Sequence, residues 1–546
     1  MRVADLVGRS VAELGAGHAF GVVGSGNLAV TNALVAAGVP YVAARHEAGA
    51  ATMADAYART SGRVGVLSVH QGCGLTNAMT GIAEAAKSRT PMLVLAADVA
   101  GPDVGSNFRI DQDGLVRSVG AVPERVHSSS STLADVERAY RAAVHGRRTV
   151  VLNLPLDVQA AEAPEPERLE PLPPARRSTA HPDLARSLAD LIRRAERPVF
   201  LAGRGALGHG PALAALADRV GALLITSAVA AGTFADEAYD LGICGGFATP
   251  LAAELVADAD VVVAFGCSLT RWTTRHGRML GPEVALAQVD DDPAAIGARH
   301  PVRLGVLGDV GLTVGAVGDL LADSDPRTGY RTAAVAERIR SEGRWSAVPY
   351  PDLSTESTID PRALSVRLDQ LLPSGRQLAV DSGNFMGYPA GYLSVPGPGA
   401  FCFTQSFQSI GLGLATAIGA AVAAPDRLPV LGTGDGGFLM SIAELETAVR
   451  LGLGMVIVVY NDAGYGAEVH HFGPTGADLS TVRFPDTDLA AVARGYGAEG
   501  ITVRTVTDLD ALAPWLRGRR DRPLVIDAKI SSDGGSWWLQ DAFRGH

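Results

Sequence analysis

The segment from residue 427 to residue 460 limits the possible folds of this chain more than any other stretch. It begins with a buried apolar strand, RLPVLGTG, and ends with a second, β-branched strand, MVIVVY. Between them, SIAELETAVRLGL has helical spacing, and Ser441 and Glu444 are placed as a capping box at its start. A strand–helix–strand unit of this kind makes its two strands parallel. The segment therefore predicts a layered α/β fold.

Two acidic residues follow these strands. Asp435 lies in the glycine-rich loop after the first strand, and Asp462 comes just after the second. Because parallel neighbours end at the same edge of a sheet, we expect the two carboxylates to lie side by side where open α/β sheets bind ligands. Paired oxygen ligands beside flexible glycines suit a Mg²⁺ ion that also holds a phosphate. The sequence thus predicts a metal and phosphate site at this edge.

Length and composition predict several soluble domains. The chain has 546 residues, 47% hydrophobic and 19% charged, which is enough for large buried cores. The net charge of −11, without a basic cluster, argues against a nucleic-acid partner. No apolar run is long enough to span a bilayer, and the first residues read as an amphipathic helix rather than a signal sequence. The four cysteines are far apart and read as reduced, so we expect a cytoplasmic protein without a membrane partner.

Two breaks rich in proline or polar residues divide the alternating strand and helix patterns, at residues 161–182 and 341–361. We therefore expect four parts: a first domain over residues 1–165, a central domain over 183–340, a third domain over 358–530 and a C-terminal tail over 531–546. The tail contains the adjacent Trp537 and Trp538, which either cap a core or cover a site.

The motifs resemble those of a known enzyme superfamily. GDG followed by an acid 27 residues after its Asp is similar to the thiamine diphosphate (ThDP) motif. RHEAGAATMADAYART resembles the early glutamate segment of the family, and residues 72–98 and 150–159 resemble the rest of its pyrimidine-binding domain. The whole chain resembles the acetolactate synthase and 2-oxo acid decarboxylase superfamily, and acetolactate synthase large subunits in particular. The resemblance implies three doubly wound parallel-sheet α/β domains: pyrimidine-binding, central Rossmann-like and diphosphate-binding.

The resemblance also implies which residues hold the cofactor. Mg²⁺ would be bound by Asp435, Asp462 and the Gly464 carbonyl, and would bridge the diphosphate. The 27-residue spacing selects Asp462 over Asn461, although family members commonly have asparagine at this ligand position. The other cofactor-binding residues that we expect are Gly383, Asn384, Ile410, Gly434, Gly436, Gly437, Phe438, Asn461 and Tyr465.

Glu47 follows a short strand and begins a helix rich in alanine and glycine. By the resemblance, its carboxyl group hydrogen-bonds N1′ of the cofactor's aminopyrimidine, which then removes the C2 proton. Taken alone, the glutamate is explained more simply by the positive helix N-terminus. Ile410 matches the apolar wedge that bends the cofactor, or else is a core isoleucine. Because the two cofactor-binding domains usually come from different subunits, we expect a homodimer or homotetramer with active sites at the subunit interfaces.

Polar residues close to the cofactor's reactive carbon are expected to determine which reaction the enzyme catalyses. His70 lies at a strand end where some aryl 2-oxo acid decarboxylases have a catalytic histidine, and Glu468 matches a proton-donating glutamate of pyruvate decarboxylases. His470 and His471 follow within one turn. Without a catalytic role, His70 would be a histidine whose hydrogen bonds are made to the backbone. Glu468, His470 and His471 would then belong to a surface helix. Ile110 stands where acetolactate synthases often have glutamine, which leaves carboligation possible without assuring it.

The central domain contains a second glycine motif. PVFLAGRGALG carries GxGxxG from Gly203 to Gly208 after a strand, which suggests a dinucleotide site. The next strand lacks a terminal acid for a ribose, whereas a later strand ends in Asp290, Asp291 and Asp292. A purely structural role for these glycines is the simpler interpretation, so FAD is possible but not favoured.

Together these residues predict a ThDP- and Mg²⁺-dependent enzyme that acts on a small-molecule 2-oxo acid. Decarboxylation would proceed through a C2 ylide and an enamine, followed by protonation or carboligation. The alternatives are a flavin-dependent 2-oxo acid oxidase on the same fold and a non-catalytic ThDP-binding homologue.

Overall fold

In a computed structural model, the chain folds into three six-stranded, all-parallel β-sheets with flanking helices. The structure describes residues 1–164, 169–175 and 177–542. Parts of the predicted first linker (165–168 and 176) and of the tail (543–546) lie outside the described residues. The chain reverses its direction across the sheet once in the second sheet and twice in the first and third, as in doubly wound folds. The predicted fold class, α/β with three doubly wound parallel sheets, is confirmed.

The first sheet is built from residues 18–155. Its strands are β1 (His18–Gly21), β2 (Tyr41–Ala43), β3 (Gly65–Val69), β4 (Met92–Asp98), β5 (Val122–Arg125) and β6 (Thr149–Pro155). They lie in the order β2-β1-β3-β4-β6-β5. The helices around them are α1 (Val3–Glu13), α2 (Leu28–Ala36), α3 (Glu47–Ser61), α4 (Cys73–Lys87), α5 (Gln112–Ser118), α6 (Thr132–Val144) and α7 (Leu156–Ala160).

The second sheet is built from residues 198–307. Its strands are β7 (Pro198–Ala202), β8 (Leu223–Thr226), β9 (Asp240–Ile243), β10 (Val261–Phe265), β11 (Ala285–Asp290) and β12 (Leu304–Leu307). They lie in the order β12-β11-β10-β7-β8-β9. Its helices are α8 (Pro182–Arg194), α9 (Gly210–Val220), α10 (Pro250–Ala257), α11 (Val310–Leu320) and α12 (Ala333–Glu342).

The third sheet is built from residues 376–529. Its strands are β13 (Arg376–Val380), β14 (Phe401–Phe403), β15 (Leu428–Gly434), β16 (Val456–Asn461), β17 (Glu499–Val503) and β18 (Leu524–Lys529), in the order β14-β13-β15-β16-β18-β17. Its helices are α13 (Pro361–Leu371), α14 (Gly387–Tyr392), α15 (Gly413–Ala423), α16 (Asp435–Met440), α17 (Ala443–Arg450), α18 (Gly466–Phe472), α19 (Leu489–Gly495), α20 (Leu512–Arg517) and α21 (Trp537–Ala542). The domain limits given above remain predictions.

The predicted capping box at the start of α17 is wrong. The N-cap is Ile442, which makes no side-chain cap bond. Ser441 instead donates its hydroxyl to the Gly437 carbonyl at 3.0 Å. The Glu444 carboxylate accepts main-chain N–H groups from the first domain, at Arg45 and His46. Glu444 is thus used as the acceptor for two main-chain amides of another domain, and this tertiary contact replaces the local cap.

The first and third domains pack against each other through α3 and α15. An added Cβ on Gly419 of α15 would lie 2.3 Å from the carbonyl oxygen of Met53 in α3. Only glycine therefore allows the two helices to approach this closely. Buried apolar residues from both domains form one continuous core here, so the two domains of one chain are fixed relative to each other.

The tail completes a core between the central and third domains. Trp538 is fully buried, with its ring 4.9 Å from that of Tyr388 in a T-shaped contact. Trp537 stacks on Trp345 with ring centroids 3.8 Å apart, and its indole N–H donates to the Gly246 carbonyl at 3.0 Å. Of the two predicted roles, the tryptophans therefore cap a core.

Within the part of the chain that the structure describes, no helix combines the length and apolar character that a membrane crossing requires.

Candidate active site

The two acids predicted as metal ligands lie together at one sheet edge. β15 and β16 are hydrogen-bonded neighbours with Gly434 opposite Tyr460, so Asp435 and Asp462 leave the sheet side by side. Their carboxyl groups lie close enough for the charge of Asp435 to act on Asp462. Burial raises the pKa of Asp435 to about 6, and burial together with the charge of Asp435 raises the pKa of Asp462 to about 8. Two carboxyl groups in this position retain a proton that a bound cation would displace.

Glycines leave space around this acid pair. An added Cβ on Gly466 would lie 2.1 Å from Oδ2 of Asp462, and one on Gly436 would lie 2.7 Å from the ring of Tyr465. Gly436 and Gly464 line the same cavity as both carboxyl groups, which places the two glycines beside the pair.

A cavity of about 440 Å³ opens over this edge of the sheet. The predicted residues that line it are Gly383, Asn384, Ile410, Gly434, Asp435, Gly436, Gly437, Asp462, Gly464, Tyr465 and Glu468. The sequence analysis missed several others, among them Trp272 of the central domain, Gln405, Gln408, Met440 and Leu539. Distant chain segments supply these residues, and no local pattern marks them.

Asp381 is a further residue that the sequence analysis missed. It follows β13, is fully buried, and accepts hydrogen bonds from the N–H groups of Ser382 (2.8 Å) and Gly411 (3.1 Å) and from the Thr433 hydroxyl (3.1 Å). Burial raises its pKa to about 6. Gly411 directly follows Ile410, whose side chain is 37% exposed and lines the cavity. Asp381 therefore fixes the predicted wedge residue, and an acid at a strand end was the available signal.

Asn384, a predicted diphosphate contact, is held by the tail. The Ser536 hydroxyl lies 2.7 Å from the main-chain oxygen of Asn384 and 2.8 Å from its Oδ1. Both residues are buried. The tail thus fixes the loop that reaches the cavity.

The polar residues of α18 do not converge on one point. Glu468 lines the 440 Å³ cavity, whereas His470 lines a neighbouring cavity of about 330 Å³ on the other side of Asp462. Burial lowers the pKa of His470, which favours its neutral ring. His471 is not among the residues that line either cavity, and its ring meets Phe472 edge-on at 4.7 Å.

Two predicted cofactor-binding residues do not present side chains to the cavity. Asn461 is buried, donates to Asp527 at 2.8 Å and accepts from the Ala463 N–H at 3.0 Å. Its side chain therefore shapes the loop before Asp462. Phe438 is fully buried in the core.

Glu47 lies on the first domain at the start of α3. His46 caps this helix by accepting the Ala48 N–H at 3.1 Å. The Glu47 carboxylate is partly exposed and accepts from the Asn77 amide at 3.1 Å. Asn77 belongs to α4 and was not predicted from the sequence. It orients a carboxylate that otherwise points to solvent.

His70 lies beside Glu47's helix, after β3. Its Nδ1 is 2.9 Å from the Gln71 carbonyl, and its Nε2 is 3.4 Å from the Ser25 hydroxyl. Because a carbonyl can only accept, Nδ1 carries the proton in the neutral ring and Nε2 is the free acceptor. The ring also meets Phe108 edge-on at 4.9 Å. One nitrogen is thus satisfied by backbone and the other faces a hydroxyl.

The two groups of predicted residues are separate within one chain. Neither Glu47 nor His70 is among the residues that line the two cavities around Asp435 and Asp462.

Comparison with known proteins assigns three segments of the chain to one family. Residues 1–117 match the N-terminal TPP-binding domain of thiamine pyrophosphate enzymes, residues 185–317 match their central domain, and residues 381–528 match their C-terminal TPP-binding domain. The chain belongs to the thiamine pyrophosphate enzyme family.

Several relatives match over nearly the whole chain. The probable 2-ketoarginine decarboxylase AruI of Pseudomonas aeruginosa is 30% identical, covering 93% of this chain and 90% of its own. The sulfoacetaldehyde acetyltransferase of Alcaligenes xylosoxydans xylosoxydans is 28% identical, covering 97% and 93%. The acetolactate synthase large subunit of Parasynechococcus marenigrum is 29% identical, covering 90% and 81%. Related family members are thus named as decarboxylases, acetyltransferases and acetolactate synthases.

The acid pair fits the metal and diphosphate of a thiamine pyrophosphate enzyme. Among the described residues there is no cluster of three or more His, Cys, Asp or Glu side chains suited to a metal ion. Asp435 and Asp462 would therefore need oxygens from the main chain and from the ligand to complete a Mg²⁺ shell. The glycine-lined cavity beside them leaves room for such a ligand.

The glycine motif of the central domain has a structural explanation. An added Cβ on Gly203 would lie 2.3 Å from the Gly266 carbonyl oxygen, and one on Gly205 would lie 2.8 Å from the Gly266 Cα. Two of the three nearby acids pair with arginines of the first domain: Asp292 with Arg89 at 2.8 Å and Asp291 with Arg147 at 2.6 Å. The possible use of FAD by this domain remains an untested prediction.

Proposed function

We propose that this thiamine pyrophosphate family member decarboxylates a 2-oxo acid, with ThDP and Mg²⁺ as cofactors, and then protonates the carbon that lost CO₂, which gives an aldehyde. The observation that carries the proposal is the pair Asp435 and Asp462, whose carboxyl groups lie side by side at the edge of a glycine-lined cavity. When bound, ThDP supplies the electron sink that makes loss of CO₂ possible. The protein residues supply binding, orientation and proton transfer.

In this proposal Asp435, Asp462 and the Gly464 carbonyl bind Mg²⁺. Main-chain N–H groups of Gly436, Gly437 and Phe438, in the first turn of α16, bind the diphosphate. Gly383, Asn384, Gly434 and Tyr465 complete that part of the cavity. Ile410 supports the bent cofactor from an apolar surface.

Glu47 hydrogen-bonds the aminopyrimidine and promotes removal of the C2 proton. Because Glu47 does not line the cavity of its own chain, a second copy must bring it there. We therefore propose a homodimer, or a homotetramer built from such dimers, with the active sites between subunits. The exposed Leu439 and Met440 beside the cavity would be covered by that contact.

His70 and Glu468 hold or move protons near the reacting carbon. Nε2 of His70 faces the Ser25 hydroxyl and carries no proton in the neutral ring, so it would first take up a proton from water and then donate it to the bound substrate. This arrangement favours protonation as the final step. Carboligation is the second candidate, because relatives named as acetolactate synthases and acetyltransferases match along the whole chain.

We further propose a reducing compartment, the cytoplasm. All four cysteines are free thiols in the structure, three of them buried.

The proposal is tested with a panel of 2-oxo acids, with and without acceptor aldehydes, while CO₂ and organic products are measured. We expect CO₂ release with at least one acid, and an aldehyde product without an acceptor. A product that contains both the acid's acyl group and the acceptor would establish carboligation instead. Glu47→Gln should abolish exchange of the C2 proton of bound ThDP while the cofactor still binds. Unchanged exchange in that variant would refute the role of Glu47.

A further inference from the structure

A buried glutamate of the third domain holds the main chain directly before Glu47. Glu444 is 2% exposed. Its carboxylate accepts the N–H of Arg45 at 3.1 Å and that of His46 at 3.0 Å. The Thr447 hydroxyl donates to its other oxygen at 2.7 Å. The carboxylate therefore joins α17 of the third domain to the loop between β2 and α3.

This position is costly for an acidic side chain. Burial raises the pKa of Glu444. The three hydrogen bonds offset that cost only while the loop keeps its position. Gly49 lies so close that an added Cβ would be 2.4 Å from Oε1 of Glu444. The loop and the carboxylate are thus fitted to each other.

The first domain makes the same kind of contact in the opposite direction. Glu84 of α4 is fully buried, and its carboxylate accepts the N–H of Ser406 at 3.0 Å and that of Phe407 at 2.6 Å. Arg59 pairs with Glu84 at 2.8 Å, and the Ser88 hydroxyl lies 2.6 Å from that of Ser406. A charged network of the first domain thereby holds the loop after β14 in the third domain.

Each of the two loops held by a buried glutamate lies just before a residue that the proposed function places against the cofactor. His46 directly precedes Glu47. Phe407 comes three residues before Ile410, and the Gly411 N–H after Ile410 is held by Asp381. Both segments are thus fixed by buried carboxylates within a few residues of the groups they carry.

We propose that Glu444 and Glu84 form a reciprocal clamp, in which each cofactor-binding domain positions the cofactor-facing residue of the other domain in the same chain. Glu444 positions Glu47, and Glu84 positions Ile410. Neither glutamate touches the cofactor, so both are positioning residues. The inference rests on the proposed function.

The clamp has a consequence for the assembled enzyme. Ile410 lines the cavity of its own chain, whereas Glu47 does not. In a dimer whose sites lie between subunits, the two ends of one clamp therefore serve different active sites. A change at Glu444 would act on the site that receives Glu47. It would not act on Asp435 and Asp462, although Asp435 lies only nine residues before Glu444.

The first test uses Glu444→Gln, with Glu446→Gln as the matched control. Glu446 lies on the same helix and pairs with the side chains of Arg45 and Arg450, without contact to the clamped amides. Hydrogen–deuterium exchange of the cofactor-free protein is measured over residues 41–52. We expect exchange at the amides of Arg45 and His46 to rise about tenfold to a hundredfold in Glu444→Gln and to stay unchanged in the control.

The second readout is C2 proton exchange with saturating ThDP and Mg²⁺. Glu444→Gln should slow it about tenfold to a hundredfold while the dissociation constant of ThDP stays within about threefold of wild type. Thr447→Val keeps the shape of the side chain and removes one donor to Glu444, so it should slow exchange less. This milder variant covers the case in which Glu444→Gln does not fold.

Glu84→Gln and the milder Ser88→Ala test the other half of the clamp. Deuterium exchange at the amides of Ser406 and Phe407 should rise in Glu84→Gln, and C2 proton exchange should slow. Wild-type protein without C2 proton exchange would overturn the proposed function. Wild-type exchange that is unaffected by both glutamate variants would overturn the clamp alone.

Discussion

The carboxyl groups of Asp435 and Asp462 lie side by side at the ends of two adjacent parallel strands. They lie 27 residues apart in sequence, and one helical crossover brings them together. Burial raises the pKa of both groups, and the charge of Asp435 raises the pKa of Asp462 further. A divalent cation would stabilise the two carboxyl groups in their charged form. The pair should therefore make both cation affinity and protein stability depend on pH.

The affinity for Mg²⁺ should rise with pH between 6 and 8, the interval between the pKa values of about 6 and about 8. Protonated carboxyl groups cannot both ligate the ion, so a proton must leave before it binds. Calorimetric titration of Mg²⁺ in the presence of ThDP measures the effect. Asp462→Asn should weaken binding and flatten the pH dependence. An affinity independent of pH in wild type would contradict the role of the pair.

The metal-free protein should become less stable as pH rises from 6 to 8. Both pKa values lie above the ordinary value of 3.8, so the folded chain keeps a proton that the unfolded chain has already released. Unfolding then releases protons and is favoured as pH increases. Thermal unfolding at several pH values measures the slope, which Asp462→Asn should reduce. If stability changes equally with pH in wild type and variant, the pKa values of the two carboxyl groups are not raised as described.

Asn77→Ala should slow C2 proton exchange about tenfold without loss of ThDP binding. The Asn77 amide donates to the Glu47 carboxylate at 3.1 Å, and its removal leaves that side chain free to rotate. Thr76→Ala is the control, because the Thr76 hydroxyl donates to the Cys73 carbonyl on the same helix. If both variants exchange at the wild-type rate, Asn77 does not orient Glu47.

His70→Ala should lower kcat for decarboxylation by about a hundredfold or more and leave C2 proton exchange unchanged. His70 acts after the step that Glu47 promotes, so the two readouts separate the roles. Ser25→Ala should lower kcat less, since Ser25 contacts only Nε2 of the ring at 3.4 Å. His471→Ala is the control, because the His471 ring packs edge-on against Phe472 on α18. A parallel loss of exchange in His70→Ala would show a structural role instead.

Trp538→Ala should destabilise the third domain by about 3–5 kcal/mol, the usual cost of removing a buried large aromatic ring. Trp538 is fully buried against Tyr388 and the Gly387 main chain. Chemical denaturation followed by far-UV circular dichroism measures the loss. Cofactor affinity should also fall, because Ser536 of the same tail holds Asn384. Trp538→Phe should lose less free energy of unfolding than Trp538→Ala. Equal stability of the wild type and both variants would refute this packing role.

Local patterns in the sequence were sufficient for the fold and for the acid pair. Apolar strands alternating with helical spacing predict parallel sheets, because few other arrangements bury both kinds of surface. The topology of a single crossover then places Asp435 beside Asp462. Ser441 and Glu444 show where this kind of inference fails. Their local spacing satisfies a cap, but Glu444 is used by amides about 400 residues away in sequence.

The sequence by itself determined which residues form the strands, the glycine turn and the acid pair, because those depend on neighbours within about 30 residues. Only the tertiary structure decided that Glu84, Glu444, Asp381 and Asn77 support the site. It also decided that Asn461 turns away from the cavity and that His470 faces a different one. These outcomes depend on where buried carboxylates and amides find partners, and such partners come from distant segments that no local pattern identifies.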